Sequence, residues 1–265
     1  DAALREGGGV YLPAREEPYY LDRPIILSDS QCITADPAAK ICAVAGLDTC
    51  LVQNRQVCQY PDDLHCEPDR QLSIAGGTWS AGKQSRAEVS GKLAGHPGMS
   101  GAQGTFIFTN IRDLVLTDLK FEKCSGFAIQ ISHAENVFVS DLAFDVFADG
   151  VHLNGPLNKV VIQNLTGQTG DDFVALNAWD WVGSAITFGP IENVLLSNLN
   201  PTGGHKALRF LAGVKTYPDA TTRDCPIQNV LVQKVSGVNE FKLYAQPEPY
   251  LDRPDGCVVG KINDL

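Results

Sequence analysis

Val137-Phe-Val-Ser-Asp-Leu142 is one of five similar runs in this chain. Leu114-Val-Leu-Thr-Asp-Leu119 precedes it, and Val160-Val-Ile-Gln-Asn-Leu165, Val194-Leu-Leu-Ser-Asn-Leu199 and Val230-Leu-Val-Gln-Lys-Val235 follow. Their starts lie 23, 23, 34 and 36 residues apart. A second series trails the first: Ala128-Ile-Gln-Ile131, Val151-His-Leu-Asn154, Val174-Ala-Leu-Asn177, Leu208-Arg-Phe-Leu211 and Leu243-Tyr-Ala-Gln246. Its steps are 23, 23, 34 and 35 residues, so the two series advance together. Such self-similarity marks a repeat architecture, in which each unit buries its apolar face only against its neighbours. Two or three short strands per repeat, with side chains alternating inward and outward, stack at ~4.8 Å per coil into parallel sheets around one core. The predicted fold is all-β, a right-handed parallel β-helix forming a single domain over residues 1–265. The longer steps read as ordinary coils that carry loops. Leucine-rich repeats would need a fixed leucine consensus with helical backs. A doubly wound α/β fold would need helices of about 10–15 residues between strands. Neither pattern is present.

Outward from this repeat, Gly7-Gly-Gly-Val-Tyr-Leu-Pro13 and Tyr19-Tyr-Leu-Asp-Arg-Pro-Ile-Ile-Leu27 read as strands of a first coil. The pattern resumes at Leu72-Ser-Ile-Ala-Gly-Gly-Thr-Trp79. Residues 34–70 are expected to form a Cys-rich insertion and residues 81–103 a long surface loop. The chain stops at Asn263-Asp-Leu265, where another run of the first series would begin, so a truncated C-terminus or a missing cap is expected.

Of the 265 residues, 44% are hydrophobic and 20% charged, and no apolar run is long enough to span a membrane. The formal net charge of −10 argues against nucleic-acid binding, which needs a basic footprint to displace counterions. It also provides no long-range attraction for a polyanionic sugar, so an acidic substrate would require a local basic cluster. A monomer is expected. Five of eight cysteines, Cys32, Cys42, Cys50, Cys58 and Cys66, crowd one segment, while Cys124, Cys225 and Cys257 are scattered. No CxxC or Cys/His zinc spacing occurs, so no metal or other cofactor is expected. The crowding reads as one or two disulfides pinning the insertion, hence a secreted or periplasmic protein. Buried free thiols are the alternative.

Three carboxylates open the second-series strands of consecutive coils. Asp149 precedes Gly150-Val-His-Leu-Asn154, and Asp171 and Asp172 follow Gly170. Asp149 and Asp172 are 23 residues apart, one coil, and should stack. Carboxyl groups so close cannot all ionise freely, which splits them into an acid and a base. Inverting glycoside hydrolysis needs that pair. Taken singly, either Asp is an ordinary turn residue. His205, in Gly203-Gly-His205, falls one coil further on, where it would orient a carboxylate or simply face solvent. His152 and Asn177 share the second-series strands with the carboxylates, as Arg209 and Lys242 do on later coils. These four are candidate sugar contacts, though Arg209 and Lys242 are equally ordinary surface charges. Trp179 and Trp181 follow the Asp pair and suit either sugar stacking or core filling. Asn164-Leu-Thr166 matches a glycosylation acceptor inside a coil, where modification is not expected.

At these residues the chain resembles the polygalacturonase-like glycoside hydrolases of family 28. Ala148-Asp149-Gly150 is similar to that family's Asn-Thr-Asp segment and Gly170-Asp171-Asp172 to its Asp-Asp pair. Gly204-His205-Lys206 resembles its Gly-His-Gly, and Glu240-Phe241-Lys242 stands where it has Arg-Ile-Lys. The resemblance spans about residues 105–246 and implies a metal-independent hydrolase acting on a polysaccharide. It implies Asp171 as general acid, Asp149 with Asp172 activating water, His205 assisting and Lys242 contacting the carbohydrate. The departures are Phe147-Ala148 in place of Asn-Thr, Lys206 in place of the last Gly, and Glu240 in place of Arg. A polysaccharide lyase and a non-catalytic carbohydrate-binding or adhesive β-helix are the rival expectations, since this fold hosts several functions.

Overall fold

The computed structural model describes residues 4, 8–58, 66–86, 101–181, 184–217, 219–244 and 261–264. Strands β1 (Gly9–Leu12), β2 (Tyr19–Leu21) and β3 (Ile25–Leu27) make the first coil. Strands β4 (Cys32–Ala35), β5 (Lys40–Ala43) and β6 (Val52–Asn54) make the second. Then come β7 (Asp69–Ala75), β8 (Thr78–Ser80), β9 (Gly104–Thr117) and β10 (Lys120–Glu122). Strands β11 (Phe127–Val146) and β12 (Val151–Thr169) each run through a whole coil. The rest are β13 (Val174–Asn177), β14 (Ile191–Gly204), β15 (Ala207–Leu211), β16 (Gly213–Thr216), β17 (Thr222–Cys225), β18 (Ile227–Val235), β19 (Glu240–Tyr244) and β20 (Ile262–Asn263). Strands β16 and β17 form an antiparallel hairpin, and every other pairing is parallel.

Three parallel faces result, and the chain is a right-handed parallel β-helix. The first face stacks β1, β4, β7, β9, β11, β12, β14, β18 and β20. The second begins with β2, β5, β8 and β10, and the third with β3, β6 and β9. On the first face Leu114, Val137, Val160, Val194 and Val230 are register partners, as their spacing predicts. All five point inward and are buried, and each such burial contributes roughly 1.5–3 kcal/mol. Trp79 packs edge-on against Phe106 at 4.8 Å and Phe106 against Phe121 at 4.9 Å, and all three rings are buried in the core.

The corners explain the polar residue before each final Leu or Val of the first-series runs. Asp118, Asp141, Asn164, Asn198 and Lys234 all take a left-handed backbone, with φ between 53° and 60°. Asn and Asp tolerate that region better than other side chains. Asn164 Nδ2 donates to Asp141 Oδ1 at 3.0 Å, and Asn198 Nδ2 donates to Asn164 Oδ1 at 2.8 Å, so a side-chain ladder climbs this edge.

Three expectations are corrected. Residues from 34 onward do not leave the helix, because β4, β5 and β6 pair in register with the first coil below and with β7, β8 and β9 above. A 3-10 turn at Arg55–Cys58 follows β6. No disulfide joins two described cysteines, and Cys32, Cys42, Cys124 and Cys225 carry free thiols. Burial pushes the Cys124 thiol up to about 12 and the Cys225 thiol to about 11, so both stay protonated. The side chain of Cys58 and all of Cys257 lie outside the described residues. In the second series the register partners begin at Ile129 and end at Phe241, one and two residues away from the expected starts. Most of the expected 81–103 loop and the segment before β20 also lie outside the described residues. No described helix is long and apolar enough to cross a membrane.

Candidate active site

The outward positions of the third face form one ladder. Gln130, His152, Ala175, Arg209 and Lys242 are successive register partners on β11, β12, β13, β15 and β19. The corner leading into this face carries Asp149, Asp171, Asp172 and His205. Gly170 is required there, because a Cβ would lie 2.1 Å from the Phe147 carbonyl oxygen of the coil below. Tight stacking of the two coils therefore brings Asp171 and Asp172 over the Asp149 turn. The backbone confirms this, with Gly150 N–H donating to the Asp172 carbonyl at 3.0 Å.

The carboxylates differ sharply in surroundings. Asp149 and Asp172 are sealed, at 1% and 0% exposure, whereas the Asp171 side chain is 20% exposed. Asp172 Oδ1 accepts from Lys242 Nζ at 2.8 Å. Its Oδ2 lies 3.0 Å from an Arg209 nitrogen, an ion contact without hydrogen-bond alignment. Asp171 pairs with Arg86 at 2.6 Å and lies 3.4 Å from His205 Nδ1. The other His205 nitrogen is 2.9 Å from Glu240. Burial pushes the Asp172 carboxyl up, and the charges of Asp149 and Asp171 add to this against Arg209 and Lys242. Burial acts the same way on Asp171, but the Arg86 guanidinium, aided by Arg209 and Lys242, outweighs it and holds that carboxyl below its ordinary range.

Behind them lies a buried polar network. His152 Nδ1 contacts Asp149 Oδ2 at 2.6 Å and its Nε2 contacts Asp180 Oδ2 at 3.0 Å. Its ring stacks on Phe127 with centroids 3.8 Å apart. Burial alone would favour the neutral ring, but the two carboxylates overcome it and push the imidazolium up to about 9. Asn177 donates to Asp180 at 2.5 Å and accepts from Arg209 Nε at 3.2 Å. His152 and Asn177 are fully buried and bond to the carboxylates and Arg209 within this network. Trp179 and Trp181 are half-buried, 6.2 Å apart, and Trp181 lies 5.6 Å from the Arg209 guanidinium.

Sequence reasoning assembled Asp149, Asp171, Asp172, His205, Arg209 and Lys242 at one place, and the structure brings all six together. It missed Asp180, although this residue sits between the two tryptophans, and it missed Arg86, which lies outside the repeat. Among the described residues, ligand atoms of Asp171, Asp172 and His205 lie within 4.8 Å of one another, a spacing a metal ion could use. Arg86 and Lys242 already bring positive charge to those carboxylates, which disfavours a divalent cation.

Fold and site together define a parallel β-helix with an ion-paired acidic corner. No family model and no curated protein matches the sequence. The hyperthermoactive exopolygalacturonase of Thermotoga maritima superposes with a TM-score of 0.60 at 13% identity, over 92% of this chain and 62% of that one. The family 28 exopolygalacturonase of Yersinia enterocolitica gives 0.46 at 13% identity, covering 90% and 62%. The mannuronan C-5 epimerase A-module of Azotobacter vinelandii gives 0.39 at 17%, covering 92% and 67%. The first of these shows the parallel β-helix fold, and the other two carry no further argument. The chain spans 62% of the length of each exopolygalacturonase.

Proposed function

We propose that the protein is a glycoside hydrolase that cleaves a polysaccharide or oligosaccharide by inversion, with Asp149, Asp171 and Asp172 as its chemistry. The observation that carries this reading is the convergence of three carboxylates from two coils at one corner, two of them sealed and one open to solvent. Asp171 reaches solvent and meets the glycosidic oxygen as general acid. Arg86 holds its carboxyl low, the reverse of what a general acid needs near neutral pH, so this role rests on its exposure and requires Arg86 to give way to the substrate. Asp172 is the complementary base and takes that role with Asp149 once its raised carboxyl is ionised. Asp149 Oδ1 and Asp172 Oδ2 accept no hydrogen bond from described residues, and they suit the attacking water. His205 orients Asp171, and Trp181 offers a ring for the sugar.

A second reading, carbohydrate binding without cleavage, is favoured by one observation: Asp149 and Asp172 are sealed behind Arg209 and Lys242. Reducing-sugar release from pectic and other polysaccharides, wild type beside Asp171→Asn, separates the two. Release that the substitution abolishes, with the product anomer inverted by NMR, supports hydrolysis. Sugar binding with no release supports the second reading, and unsaturated products would reveal a lyase. A location outside the cytoplasm belongs to this proposal, since a secreted protein meets polysaccharide.

A further inference from the structure

The overall charge of −10 leaves an acidic sugar dependent on cations at the site itself. Among the described residues the cations in contact with the site aspartates are Arg86, Arg209, Lys242 and the His152 imidazolium, and each is thereby engaged. Arg209 faces Asp172 at 3.0 Å, Asp149 at 3.7 Å and Asn177 at 3.2 Å. Lys242 is held by Asp172 at 2.8 Å, with Asp171 at 4.0 Å. Arg86 is held by Asp171 at 2.6 Å, and His152 lies sealed between Asp149 and Asp180. Five carboxylates, the four aspartates and Glu240, confront these four cations. Glu240 stands exposed at the rim, at the position where the resemblance places an arginine.

We infer that the site takes a neutral sugar, not a uronate, at the position beside Asp171. A sugar carboxylate entering there would have to draw a cation away from a buried or half-buried aspartate and leave that aspartate unpaired. It would also stand beside Asp171 and Glu240, which carry its own sign. An uncharged ring meets neither obstacle: its hydroxyls donate to Asp171 and Glu240, and its CH face packs on Trp181. The inference rests on the carbohydrate-directed reading of this site and narrows it to one substrate class. It sets this chain apart from a site built to grip uronates, where charge must be left over after the protein's own pairs are made.

The test uses the full chain and matched polymers: polygalacturonate against its carboxyl-reduced galactan, and glucuronoxylan against unsubstituted xylan, within a wider neutral panel. Binding is read by affinity electrophoresis and cleavage by reducing ends, each at low and high salt. The expected result is a preference of roughly tenfold or more for neutral glycans, little changed by salt. A preference for acidic polymers that fades with salt overturns the inference and leaves hydrolysis standing if they are cleaved. Neutral glycans bound but not cleaved uphold the inference and overturn hydrolysis. No binding and no cleavage on any polymer overturns both.

Discussion

His152 and Asp149 meet at 2.6 Å, Nδ1 to Oδ2, three residues apart on one strand entry and sealed from solvent. The contact fixes one Asp149 oxygen and leaves the other without a hydrogen bond from the described residues. Asp180 grips the opposite ring nitrogen, so the imidazole ties the stacked coil to the loop that follows β13.

This arrangement makes stability depend on pH in a defined window. The folded His152 pKa is raised to about 9, above its ordinary value, so its contribution is complete below the ordinary histidine pKa. It is lost as pH rises through the folded value. At ~1.4 kcal/mol per unit, the whole contribution is about 3 kcal/mol. Urea midpoints between neutral pH and pH ~10 should fall accordingly. His152→Gln should flatten that slope, and an unchanged slope would remove His152 as its source. The substitution should also cost about 3–5 kcal/mol by stranding two buried carboxylates.

The Asn164 corner gives a prediction about the fold alone. Its φ of 56° is left-handed, and its amide bonds both the coil below and the coil above. Asn164→Val forces a β-branched residue into that region and removes both bonds, for a cost of about 2–4 kcal/mol by urea unfolding. Asn164→Gly, which keeps only the backbone, should cost about half as much. Equal losses would show that the ladder bonds matter and the backbone conformation does not.

These corners show why so much of the first face was legible. A six-residue phrase with an Asp, Asn or Lys fixed at the turn sets its own register, so Leu114, Val137, Val160, Val194 and Val230 line up without error. The third face was less clear, because its runs have no such fixed turn residue. Ala128 stood in for Ile129, and Leu243 for Phe241, since both runs alternate apolar residues and a shift of one or two still reads as a strand. Second-face strands such as Lys120–Glu122 are too short to show alternation. The cysteine crowding misled, because spacing in sequence says nothing about which coil each thiol faces. In the site, the stacked carboxylates follow from the one-coil spacing of Asp149 and Asp172. Arg86 and Asp180 sit in segments with no counterpart in other coils, where the repeat offers no register to place them.

Arg86 offers the means of assigning acid and base. It is the main influence holding the Asp171 carboxyl low, so Arg86→Gln should raise that pKa. If Asp171 is the general acid and Asp172, of higher pKa, the base, the low-pH break of kcat/KM moves upward and the plateau above it rises, because more of the enzyme holds the productive protonation state. If Asp171 is the base, the low-pH limb moves upward with no gain in the plateau. Carboxyl NMR titration of Asp171 in both proteins checks the pKa change independently of turnover.

Arg209 tests whether shape or charge holds the corner. Its guanidinium reaches Asp172, Asp149, Asn177 and the Trp181 ring at once, and small Ala175 beside it on the ladder leaves room for that reach. Lysine keeps the charge but presents a single ammonium that cannot span these partners. Arg209→Lys should therefore destabilise the fold by about 2–4 kcal/mol, since at least one buried carboxylate loses its cation. Turnover should fall by about tenfold or more, because Asp149 and Asp172 would no longer be held in one relative position. Arg209→Met removes the charge altogether and should be worse on both counts. If Lys behaves like wild type in urea and on substrate, a positive charge alone suffices there. The fork geometry would then have no part in aligning the carboxylates.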